Sequence, residues 1–77
     1  MKTYRYYSDS TKLASKDLSQ LIGVSRQTVW RWQHQGMPSH RTQRGRHFVL
    51  DEVLSWMKEQ PKLMELYVLT KIKLDFN

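Results

Sequence analysis

Leu18–Ser19–Gln20–Leu21–Ile22–Gly23–Val24–Ser25–Arg26–Gln27–Thr28–Val29–Trp30–Arg31–Trp32 decides the architecture of this chain. Leu18, Leu21 and Ile22 recur at i, i+3 and i+4, the spacing that lines side chains along one stripe of a helix. Gly23 stands where such a helix closes on a left-handed residue, and Val24 carries an apolar side chain into the turn. Ser25 is a good N-cap, so a second helix begins at once. On it Val29 and Trp32 share one face, while Arg26, Gln27, Trp30, Arg31 and His34 occupy the others. Two helices joined this tightly cross steeply, which leaves the outer side of the second free to enter a DNA major groove.

Working outward from this unit, Ser15 is placed to cap the first helix. Residues 1–11 are polar and aromatic, with Tyr4, Tyr6 and Tyr7, and have no helical period; they suit an arm or a short edge strand. The second helix must stop near Gly36, and Pro38 prevents its resumption. His40–Arg41–Thr42–Gln43–Arg44–Gly45–Arg46 is hydrophilic, with Gly45 available for a positive-φ turn. His47–Phe48–Val49–Leu50 after it is rich in strand formers, which predicts a small basic hairpin. Asp51 suits an N-cap and Glu52 the positive end of a third helix, which Val53, Leu54, Trp56 and Met57 supply with a packing face up to Pro61. Trp32, Phe48 and Trp56 fall on inward positions and read as core, each burying roughly 150–250 Å². The tail fits two periods. Leu63, Leu66, Tyr67 and Thr70 form a helical stripe, whereas Val68, Thr70, Ile72, Leu74 and Phe76 alternate as a strand would; a helix through Thr70 is the favoured reading.

With 77 residues, 39% of them hydrophobic, and no cysteine, the chain is expected to build one small domain without a disulfide framework or thiolate zinc site. A multidomain enzyme is excluded. The longest apolar run, Leu66 to Leu69, is far short of the roughly 20 residues that span a bilayer, and the N-terminus opens no signal-peptide core. An intracellular, cytoplasmic protein with no membrane partner is therefore expected.

Charge is sorted by position. The net charge of +6 divides into +2 over residues 1–17, +5 over residues 18–50 and −1 over residues 51–77. The middle segment holds Arg26, Arg31, Arg41, Arg44 and Arg46, all three histidines, and no acidic residue or lysine. Planar guanidinium donors suit phosphates and guanine edges better than ammonium groups do, so the sorting predicts one basic surface for nucleic acid. Catalytic readings fail by comparison. His34, His40 and His47 have no cysteine or acidic neighbours in sequence to complete a metal shell, no Gly-rich phosphate loop is present, and Asp51–Glu52 reads as a cap rather than an acid–base pair. No catalytic residue, metal or cofactor is assigned.

Ile22–Gly23–Val24–Ser25–Arg26–Gln27–Thr28–Val29–Trp30–Arg31–Trp32, Gln35–Gly36–Met37–Pro38, Gly45–Arg46–His47–Phe48 and Asp51–Glu52–Val53–Leu54–Ser55–Trp56 together resemble the excisionase-like, MerR-type winged helix-turn-helix domains. These occur in phage excisionases, in the DNA-binding part of terminase small subunits and in regulators of mobile elements. The resemblance covers residues 17–57 and implies a mainly α fold: a winged helix-turn-helix with a short β-hairpin wing, followed here by a helical tail. It also implies that the second helix reads the major groove and that the wing meets the minor groove or backbone. The division expected is an arm over 1–14, the winged domain over 15–60, and a tail over 61–77 that extends the core or serves docking or dimerisation.

On the second helix, Arg26 and Arg31 can bond guanine or phosphate and Gln27 can pair with adenine. Ser25 and Thr28 can take a phosphate beside the helix N-terminus, although Ser25 serves equally as a cap alone. Trp30 either packs under the wing or contacts DNA or a partner. Arg41, Gln43, Arg44 and Arg46 place the wing on the backbone or in a narrowed minor groove, against the alternative of a solvated loop. Two functions follow. One is a non-enzymatic accessory factor that binds double-stranded DNA of a phage or mobile element, as a homodimer or cooperative array. The other is a small subunit that docks through Leu66, Tyr67, Leu69 and Ile72 onto a terminase ATPase, recombinase or replication polymerase.

Overall fold

The structure, a computed structural model, describes residues 11–75. It is mainly helical with one small antiparallel sheet. The elements run β1 (Lys12–Leu13), α1 (Ser15–Ile22), α2 (Arg26–His34), β2 (His40–Thr42), β3 (Gly45–Val49) and α3 (Leu50–Lys58). A tight helical turn, Pro61–Leu63, then leads into α4 (Met64–Asp75). In the sheet β3 is central, in the order β1–β3–β2. Leu13 stands opposite Phe48, and His40 opposite His47.

The turn at the centre of the sequence forms as expected. Gly23 adopts φ +88°, and its N–H and that of Val24 both donate to the Ser19 carbonyl, at 2.8 and 3.0 Å, closing the C-terminus of α1. Ser25 caps α2, its Oγ accepting from the Thr28 N–H at 3.1 Å. Two other caps differ from the sequence reading. Ala14 rather than Ser15 is the N-cap of α1, and Val49 rather than Asp51 that of α3; neither makes a side-chain cap bond. In both cases a strand feeds the helix directly: β1 ends at Leu13 and β3 at Val49, so pairing within the sheet sets the helix start. The Leu50 N–H donates to the Thr11 carbonyl at 2.9 Å, extending the β1–β3 register into the first residue of α3. Asp51 and Glu52 still lie in the first turn, where the helix dipole favours them.

One core joins these elements. Leu13, Leu18, Leu21, Ile22, Val29, Trp32, Met37, Phe48, Leu50, Val53, Leu54 and Met57 are buried together, and Val24, Trp56, Leu63, Leu66, Tyr67 and Leu74 pack on its margin. Trp32 is 6% exposed and Phe48 wholly buried; Trp56, expected inside, is half-buried with its ring 5.9 Å from that of Trp32. The arm expected over 1–14 therefore ends, within the described residues, as a strand of the core sheet; residues 1–10 lie outside them.

The tail is helical to Asp75, beyond the expected Thr70, and its alternating pattern is not used as a strand. Packing decides this. Thr70 is wholly buried, with its hydroxyl donating to the Leu66 carbonyl at 2.8 Å. Lys73 Nζ donates to the Leu21 carbonyl at 2.9 Å, placing a cation at the negative end of α1. Phe76, the last residue of the alternation, falls outside the described residues.

Gly23→Ala should lower stability by about 1–2 kcal/mol in urea unfolding, because left-handed backbone penalises any residue with a Cβ. Crowding adds nothing, since the nearest atom to an added Cβ is Lys73 Nζ at 3.6 Å. A chain ended at Gln60 should lose its cooperative thermal transition, since Leu66, Tyr67 and Leu74 cover the core from α4.

Candidate nucleic-acid interface

Helix α2 has one buried side and one free side. Val29 is wholly buried and Trp32 nearly so, whereas Arg26, Gln27, Trp30, Arg31 and His34 are exposed, with Trp30 at 56%. Helical spacing arranges the free residues in two rows, Arg26–Trp30–His34 and Gln27–Arg31. Near the N-terminus, Ser25 Oγ and Thr28 Oγ1 are 3.0 Å apart, and Arg31 Nη2 donates to Thr28 Oγ1 at 3.3 Å. Ser25 is thus a cap, and Thr28 orients the Arg31 guanidinium along the helix while leaving most of its five donors free. Trp30 does not lie under the hairpin. Its ring sits 4.1 Å from that of His34, whose Nδ1 bonds the Trp30 carbonyl at 3.0 Å.

The hairpin turns through Gln43 and Arg44. Thr42 Oγ1 accepts from the Arg44 N–H at 3.2 Å and donates to the Gly45 carbonyl at 3.0 Å, while Gly45 takes φ +117°. Arg41 and Arg46 stand directly opposite each other across the two strands. Like charges in that position oppose strand pairing. Arg46 Nη1 donates to Ser39 Oγ at 2.7 Å, and Arg41, Gln43 and Arg44 are exposed. At the root, His40 Nε2–H donates to Glu52 Oε1 at 2.7 Å and the His40 ring stacks on that of His47 at 5.4 Å. These contacts tie both strands to α3.

Two basic residues join the candidate surface that the sequence reading did not assign to it. Lys12 lines an open groove of about 880 Å³ with Arg44, Arg46 and His47. Lys62 lines a second cleft, of about 510 Å³, with Arg31, Gln35 and Gln60 above Trp32 and Leu63. Each reaches its neighbours through tertiary packing, so only β1 pairing and the turn after α3 mark them. Glu52 beside His40 is likewise a long-range contact. Among the described residues, however, no group of three metal-ligating side chains is assembled.

None of Arg26, Arg31, Arg41, Arg44 and Arg46 pairs with a carboxylate among the described residues. Of the tail residues expected to contact a partner, Leu66 and Tyr67 are half-buried against the core. Leu69 and Ile72 are open to solvent, together with Met64 and Val68. No helix among the described residues is long and apolar enough to cross a membrane. Comparison with models of known protein families, with curated proteins and with solved structures gives no match.

Proposed function

We propose that this chain is a winged helix-turn-helix protein that binds double-stranded DNA of a phage or mobile element and marks a site there for a larger enzyme, as an architectural or regulatory factor. One observation carries the reading. Five exposed arginines on α2 and the hairpin face no carboxylate among the described residues, and two of them oppose each other across a strand pair. Such an arrangement is self-repulsive until an anion intervenes, and a polyphosphate backbone supplies anions at regular spacing. In this reading α2 enters the major groove with Arg26, Gln27 and Arg31 at base edges, and the hairpin lays Arg41, Gln43, Arg44 and Arg46 along the backbone or in a narrowed minor groove. A single module of this kind buries roughly 600–1,000 Å², so specific binding calls for a homodimer or cooperative array.

The apolar side of α4 supports a second reading. Apolar side chains occupy both the inner and the outer side of α4, and on the outer side Met64, Val68, Leu69 and Ile72 are exposed, Ile72 at 54%. The chain would then be a small subunit docking through α4 on a recombinase, packaging ATPase or polymerase, with the basic surface delivering DNA to it.

Raising salt from 50 to 200 mM should weaken duplex binding roughly a hundredfold if about four phosphates are contacted; a flat response in a fluorescence titration refutes the phosphate assignment. Arg31→Ala should cost about 1–3 kcal/mol on the preferred site and relax sequence choice, whereas Arg44→Ala should weaken all duplexes evenly and flatten the salt slope by about one. Equal effects on preferred and random duplex remove the division of labour between α2 and the hairpin. The double variant Leu69→Lys with Ile72→Lys should keep its circular dichroism and duplex affinity but lose co-purification with a co-expressed recombinase, packaging ATPase or polymerase that the wild type captures, if α4 is the docking face. Unchanged co-purification excludes that face.

A further inference from the structure

The free side of α2 carries one large apolar side chain among polar ones. Arg26, Gln27, Arg31 and His34 are polar at the tip, while Trp30 sets a broad apolar surface in the middle of the row, 56% exposed. Exposing an indole has a free-energy cost in water, and this one is held in place. A carbonyl only accepts, so His34 Nδ1 carries the proton it donates to the Trp30 carbonyl at 3.0 Å. The imidazole so fixed lies 4.1 Å from the indole centroid, tilted by 43°. One face of the indole is thereby backed, and its rotamer freedom is reduced before any ligand arrives. Arg26 precedes it by one turn and Arg31 adjoins it, so the apolar surface is bracketed by guanidinium groups that can anchor to guanine or phosphate.

Base edges in the major groove of ordinary DNA present hydrogen-bonding atoms and a single apolar group, the 5-methyl of thymine. Resting on the duplex-binding reading above, we infer that Trp30, buttressed by His34, reads a thymine methyl and makes α2 selective for thymine at one position between the bases or phosphates held by Arg26 and Arg31. The indole contributes to sequence choice without a hydrogen bond to a base.

The test begins with the duplex that the full chain enriches from a random 20-base-pair pool. Each thymine of that duplex is replaced in turn by deoxyuridine, which removes the methyl and nothing else. Wild-type affinity should fall about fourfold at one position, the size set by one buried methyl group. Trp30→Ala should bind thymine and uracil forms alike at that position, Trp30→Leu should keep part of the difference, and Arg31→Ala should keep all of it. Circular dichroism checks that each variant remains folded. Uniform indifference of the wild type to deoxyuridine overturns the inference, as does a Trp30→Ala variant that still distinguishes the two forms. Tighter binding to the corresponding single strand overturns it in favour of stacking on unpaired bases. Failure to enrich any duplex refutes the DNA-binding reading itself, which separates the two levels of the claim.

Discussion

Three residues between α1 and α2 determine which side of α2 the solvent sees. Gly23 reverses the chain through left-handed backbone, Val24 pins the reversal to the core margin, and Ser25 starts the next helix with its own hydroxyl. A turn so short leaves the two helices no freedom to slide, so Val29 and Trp32 must meet the stripe of Leu18, Leu21 and Ile22. The exposed rows of α2 follow as the complement of that contact. The α2 part of the basic surface depends on this geometry, because a longer or looser turn would let α2 roll and bury a different set of side chains.

Much of this was legible from residue order because its causes are local. A left-handed glycine, a serine cap and a three-to-four apolar period act within one or two turns of chain, and the α1–α2 unit, the end of α2 and the Gly45 hairpin could be read from them. What was missed was set at a distance. The caps of α1 and α3 are residues that leave a strand, so their position depends on β1 meeting β3, a pairing between segments more than 30 residues apart. The helical length of the tail depends on Lys73 reaching Leu21 and on Thr70 sinking beneath the surface. Of the tail, an apolar run reveals that something must cover it, but not that Leu66 turns inward while Leu69 turns outward. Among site residues the arginines were evident from composition, whereas Lys12 and Lys62 became neighbours of them only through the fold.

The basic surface and the core place opposite demands on a chain of this size. Twelve apolar side chains form the buried cluster, and α4 completes its cover with side chains that are only partly enclosed. Opposed arginines on the hairpin detract from the stability that this cluster provides. An anionic ligand bound between them would relieve the repulsion and stabilise the fold at the same time.

Strand β3 has a mechanical role as well as a topological one. It is hydrogen-bonded on both sides and passes into α3 with no intervening linker, while the His40–Glu52 bond clamps its neighbour β2 to the same helix. The hairpin is consequently a cantilever with a stiff root. Force applied at Arg44 would travel along β3 into α3 instead of being absorbed by a hinge, so the tip keeps a fixed angle to the body of the molecule.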